Sequence, residues 1–129
     1  MAKVEDGGMR SQITMDTALN YGTALFSCGR FSQAQTHFHR TIKVCGRAHA
    51  AGAQAMLNLK LMYARSLYEA PDAPLDDLEQ AGGILASIAE TSKRVMGDKH
   101  PISVQIYVNI LDLHMRMSAR PEFPSQAPA

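Results

Sequence analysis

Apolar residues along the chain recur three and four positions apart, and nowhere do they alternate in the period-two pattern of a half-buried strand. The first such stretch runs from about Thr14 to Cys28. Leu19, Leu25, Phe26 and the small Ala18 and Ala24 fall at helical spacing in it, and Gly29 ends it. Phe31 then precedes Ser32, with Gln35 three residues on. This spacing predicts a capping box, in which each side chain satisfies a backbone amide left open at the helix start. The second helix carries Ala34, Phe38, Thr41, Ile42 and Cys45 on one face and is expected to stop at Gly46.

The alanine-rich segment from Arg47 to Gln54 gives no start for the third helix, but its body is clear: Leu57, Leu61, Ala64, Leu67 and Tyr68 share a face. Pro71 and Pro74 break it, since neither can continue a helix from within. Pro74 opens the fourth helix, with Asp76, Asp77 and Glu79 in its positive first turn, Lys93 and Arg94 in its negative last turn, and Gly97 closing it. Its stripe is Leu78, Ala81, Leu85, Ile88 and Val95. His100-Pro101 starts a fifth helix that is apolar on opposite sides. Ile102, Ile106, Ile110, Leu113 and Met117 form one stripe, and Val104, Val108, Leu111 and Met115 the other. Such a helix needs two neighbours, and the PEFPSQAPA that follows can cover neither side. The stripe of Ile106, Ile110, Leu113 and Met117 is assigned to self-association. The implied organisation is a flexible 1–12, a helical domain over 13–118 and a disordered proline-rich 119–129.

At 129 residues and 14.1 kDa the chain fits one domain with a real core. Lys and Arg number 13 against 12 acids, so the formal charge of +1 gives no bulk attraction to nucleic acid or an anionic membrane. The opening MAKVEDGGMRSQ has no apolar core of a signal peptide, and no run of eighteen apolar residues occurs, so a soluble, cytoplasmic protein is expected. Cys28 and Cys45 lack any CxxC or Cys/His spacing and are expected as small core residues. Eight methionines and no tryptophan suit an adaptable helical core.

Candidate chemistry is sparse. There is no GxSxG, P-loop, dinucleotide glycine pattern or HExxH, so no catalysis is expected. His37 and His39 point about 200° apart on a helix and cannot share a metal. His49, His100 and His114 are scattered, and helix-dipole stabilisation accounts for Asp76, Asp77 and Glu79 without a cation. No metal and no cofactor are therefore expected.

Two helix pairs joined by short turns suggest a repeat protein. Tyr21-Gly22-Thr23-Ala24-Leu25, then Gly29-Arg30-Phe31-Ser32-Gln33-Ala34, then Phe38 and Thr41, resemble the tetratricopeptide repeat (TPR) signature, with Leu25 and Thr41 as modest departures. Ala64, Leu67, Ala81, Leu85 and Ile88 resemble a second unit, stretched by about five residues around Pro71 and Pro74. Arg94-Val95-Met96-Gly97-Asp98-Lys99-His100-Pro101 is similar to the turn between repeats of kinesin light chain type, and Asn109 falls where that type carries asparagine. Gly22 to Ala64 spans 42 positions, that subfamily's period.

The resemblance implies an all-α fold of antiparallel helix pairs stacked as a short right-handed α-solenoid of about five helices. It also implies a module that binds a peptide or helix of another protein in a concave groove formed by the first helix of each pair. By that correspondence Asn20, Thr23 and Ser27, then Asn58, Arg65 and Tyr68, then Gln105, Asn109 and Asp112 line the groove. Asparagine amides there would bond a peptide backbone, Arg65 a carboxylate, and Tyr68 would cover an apolar side chain. The alternative, in a different class, is a structural repeat unit that homodimerises or extends an array through its last helix.

Overall fold

A computed structural model describes residues 3–48 and 52–120 of the chain, with side chains described for 15–45 and 52–120. Among the described residues there are five helices and no strand: α1 (Lys3–Ser27), α2 (Phe31–Ala48), α3 (Ala53–Tyr68), α4 (Leu75–Val95) and α5 (Pro101–Ser118). Each helix packs on the next, and α3 also touches α1 and α5, so α1, α3 and α5 stand side by side while α2 and α4 pack against them.

The turns follow from a few residues. Gly29 takes φ +79°, and the Arg30 amide donates to the Leu25 carbonyl while that of Gly29 donates to Phe26. This is the Schellman arrangement, which only a residue without a Cβ enters cheaply. Gly97, at φ +94°, ends α4 in the same left-handed region. The α4–α5 corner is then pinned by a buried hydroxyl pair. Ser103 Oγ gives its proton to the Gly97 carbonyl at 2.7 Å, so Ser92 Oγ must be the donor in its bond to Ser103. His100 has the extended backbone required before a proline, and its Nδ1 accepts from the Ile102 amide at 3.1 Å. Pro101 stands in the first helical turn, where its missing N–H costs nothing. Asp76 and Asp77 occupy the first turn of α4 and Lys93 and Arg94 the last, as the dipole favours.

Two apolar clusters share α3. Met15, Ala34, Phe38, Cys45 and Leu59 join α1, α2 and α3. Leu57, Leu61, Ala64, Leu67, Tyr68, Leu78, Ala81, Leu85, Ile88, Ile102, Ile106 and Leu113 join α3, α4 and α5. The tightest approach is at Gly22: a Cβ there would collide with the Phe38 ring and press on His37, so α1 and α2 close to a distance that only glycine allows.

Several expectations are corrected. α1 begins at Lys3 rather than near Thr14, taking residues 3–12 into the helix, and α2 continues through Gly46 to Ala48. α3 starts at Ala53 behind Gly52, while His49 and the segment 121–129 lie outside the described residues. The capping box does not form. α2 starts two residues early, at Phe31, the Arg30 carbonyl accepts the first helical bond from Ala34, and Ser32 lies exposed inside the first turn. Gln35 instead reaches across to α3 and donates to the Ser66 carbonyl at 2.9 Å. Pro74 sits at the cap of α4 rather than in its first turn. Val95 is 51% exposed, and the buried Ser92 takes its place on the inner face. Cys28 is exposed; only Cys45 is in the core, where burial raises its thiol pKa.

The largest correction concerns α5. Its two-sided character is present, but the inward stripe is the one assigned to self-association. Ile106 and Leu113 are buried, and Ile110 and Met117 pack on the same cluster. Val104, Tyr107, Val108, Leu111 and Met115 face outward. Hydrophobicity is alike on the two sides, so periodicity alone could not assign the inner one.

Gly22 and Gly83 offer a paired test, since both are helical but only Gly83 has open space around its Cβ position. Gly83→Ala is expected to stabilise by up to about 1 kcal/mol through helix propensity. Gly22→Ala is expected to lose about 1 kcal/mol net, because crowding the Phe38 ring outweighs the same gain. Urea denaturation of both variants measures this; a stabilising Gly22→Ala would mean that α1 and α2 do not interlock there.

Candidate protein-binding face

The nine groove candidates lie on α1 (Asn20, Thr23, Ser27), α3 (Asn58, Arg65, Tyr68) and α5 (Gln105, Asn109, Asp112), three helices that stand in one row. Burial divides them. Asn20, Ser27 and Gln105 are exposed, and Thr23, Asn58, Arg65 and Asp112 are half-buried. Tyr68 and Asn109 are buried, which removes both from any surface.

These two form the main polar tie between α3 and α5. The Tyr68 hydroxyl donates to Asn109 Oδ1 at 2.6 Å, and Asn109 Nδ2 donates to the Gln105 carbonyl at 2.7 Å. Burial makes such a bond costly to break, because either partner left alone keeps its desolvation penalty. Burial also holds the Tyr68 pKa well above the usual tyrosine range. The negative charges of Glu69 and Asp112 push it the same way, and Arg65 opposes them in part. Asn109 therefore builds the fold, contrary to the peptide-binding role implied for it.

Arg65 is also committed within the chain. Its Nε donates to Glu69 Oε2 at 2.6 Å, and its guanidinium lies 5.0 Å from the centre of the Phe26 ring. With side chains 29% and 18% exposed, the ion pair contributes roughly 0.3–0.5 kcal/mol and the ring contact about 0.5–1 kcal/mol. Arg65 thus fastens α3 to α1 instead of offering an open receptor for a carboxylate. Asp112 is bonded one turn along α5 to Arg116 Nε at 3.1 Å, and the Arg116 guanidinium lies 5.5 Å from the centre of the Tyr68 ring. Among the described residues no hydrogen bond occupies Asn20, Thr23, Ser27 or Asn58 side chains.

Sequence reasoning assigned Phe26, Glu69 and Arg116 no part in this face. Arg65/Glu69 and Asp112/Arg116 are both opposite charges four apart, a pattern that was there to be read. It passed over a groove on the other side as well. Between α2 and α4, floored by α3, lies a space of about 460 Å³ lined by His39, Ile42, Lys43, Lys60, Tyr63, Gln80, Gly83, Ile84, Ser87 and Ile88. Its lining surface is mostly apolar, and Lys43 and Lys60, which also line it, make no ion pair among the described residues.

His37 and His39 part as expected: His37 Nε2 bonds the Ala18 carbonyl at 2.7 Å, and His39 stacks obliquely on Tyr63. Among the described residues no three His, Cys, Asp or Glu side chains gather around a common point, and no helix is long and apolar enough to cross a membrane. No family model matches the chain, and neither a curated protein nor a solved structure matches it.

Tyr68→Phe is expected to cost about 1–3 kcal/mol at neutral pH by orphaning the Asn109 amide oxygen. It also changes the alkaline limb. The unfolded chain releases the Tyr68 proton near pH 10 and the native state holds it longer, so wild-type stability is complete below about pH 10 and declines above it. Urea unfolding at about pH 9 and about pH 11 should show a steeper loss in wild type than in Tyr68→Phe. Equal slopes would contradict the buried phenol.

Proposed function

We propose that this chain is a protein–protein interaction module of TPR type, a short right-handed α-solenoid without catalytic activity or cofactor. It takes a peptide or helix of a partner protein along the face made by α1, α3 and α5. The observation that carries the reading is the adjacency of those three helices, which brings candidate side chains from separate parts of the sequence into one row. Asn20, Ser27 and Gln105 are exposed on it, with Thr23, Asn58 and Asp112 half-buried between them. Amides and hydroxyls at these positions can both donate to and accept from an extended backbone. Two unpaired cysteines suit a reducing compartment, consistent with the cytoplasm.

Relative to the first expectation the recognition set shrinks. Arg65, Tyr68 and Asn109 shape the face from beneath by tying α3 to its neighbours. The residues left to meet a partner are Asn20, Thr23, Ser27, Asn58, Gln105 and Asp112.

The test is to select peptides from a displayed random library on the immobilised protein and titrate the best one into isotope-labelled protein, following backbone amide shifts. Perturbations are expected along α1, α3 and α5. The triple variant Asn20→Ala/Asn58→Ala/Gln105→Ala should bind weaker by about 1–3 kcal/mol while its stability moves by no more than about 0.5 kcal/mol. Perturbations confined to the α2/α4 groove around Lys43 and Lys60, or unchanged affinity in the triple variant, would contradict the reading.

A further inference from the structure

The outward side of α5 is the most apolar exposed surface among the described residues. Val104, Tyr107, Val108, Leu111 and Met115 are between 48% and 72% exposed, and all lie on one side of one helix. The other large exposed apolar residues, Tyr21, Val44 and Val95, are scattered over α1, α2 and α4. Together the α5 side chains present on the order of 500 Å², within the range of the largest apolar patch on a monomer, which is often functional.

We propose that this face pairs with the same face of a second copy of the chain, the two α5 helices running antiparallel across a two-fold axis. The spacing of the residues carries the proposal. Val104, Val108, Leu111 and Met115 are separated by four, three and four positions, the alternation of a coiled-coil seam, while Ile106 and Leu113 fall on the opposite, core side. A 4-3-4 spacing reads the same in both directions. An antiparallel copy therefore sets Val104 against the partner's Met115 and Val108 against the partner's Leu111, a short β-branched side chain opposite a long one in every layer.

The edges are compatible with self-pairing. No charged residue interrupts the seam, and beside it Asp112 and Arg116 neutralise each other within one helix. In the antiparallel register Gln105 flanks the partner's Asp112 and Tyr107 flanks the partner's His114, so no like charges meet. A stable interface takes about 800 Å² from each partner. The stripe supplies the apolar centre of that area, and the exposed Pro101, Gln105, His114 and Ser118 supply a rim. Two heptads make a small contact, so the dimer forms and dissociates with concentration.

Sedimentation equilibrium of the full chain from about 1 μM to about 1 mM reads this directly. The average mass of wild type is expected to climb from 14.1 kDa toward twice that value. Leu111→Asp and, separately, Met115→Glu should remain at the monomer mass throughout with unchanged helical circular dichroism; both residues are more than half exposed, so neither substitution strains the core. In a Cys28→Ser background, mixing Val108→Cys chains with Leu111→Cys chains should give the mixed disulfide in preference to either self-linked product. A wild type that stays monomeric at the highest concentration overturns the proposal. So does a dimer that survives both acidic substitutions, or cross-linking dominated by Val108→Cys with itself.

Discussion

Helix α3 must be shielded from water on several sides at once, and the arrangement of the other helices follows from that requirement. Seven of its sixteen residues are buried. Leu59 points into the cluster shared with α1 and α2, while Leu57, Leu61, Ala64 and Leu67 point into the one shared with α4 and α5. Each large aliphatic side chain so covered contributes roughly 1.5–3 kcal/mol relative to exposure. Polar groups then decide register. The Ser66 carbonyl accepts from Gln35 of α2, and the Tyr68 hydroxyl donates to Asn109 of α5. Sliding either helix past α3 would strand one of these buried groups. Apolar burial thus gathers the helices, and two side-chain amides say where they stop.

The surfaces left over differ in kind because α3 is central. The row of α1, α3 and α5 carries exposed amides and hydroxyls, with its charged side chains already paired internally. At the end of that row, among the described residues, α5 has neighbours on one side only, and its second apolar stripe is exposed. The groove between α2 and α4 combines a mostly apolar lining with two lysines, Lys43 and Lys60. An amphipathic helix at the middle of a stack is buried on both sides, whereas an identical pattern at the end is half exposed. Position among the packed helices, more than composition, leaves the outer face of α5 exposed.

Much of the fold was legible because glycine, proline and helical periodicity act locally. Gly29, Gly97, His100-Pro101 and the Pro71 to Pro74 break all end or begin helices where expected, and the buried faces of α2 and α3 match the periodic positions. The misses are tertiary. Ser32 and Gln35 had the spacing of a capping box, but a long-range bond to Ser66 was open to Gln35 and the helix began two residues earlier. Which side of α5 turns inward depends on where α3 and α4 lie, and that is invisible in a helix apolar on both sides. Asn109 was assigned to the groove through the family resemblance alone, and the partner that buries it, Tyr68, is 41 positions away. Arg65 likewise has one partner a turn along and another on a different helix.

Native-state hydrogen exchange tests the central place of α3 most directly. Amides of α3, with those of α4 that face it, should exchange only through global unfolding, while the first turns of α1 and the last turns of α5 exchange through local opening at lower free energy. Protection that is greatest in α1 or α5, with α3 opening independently at lower free energy, would contradict a fold organised around α3.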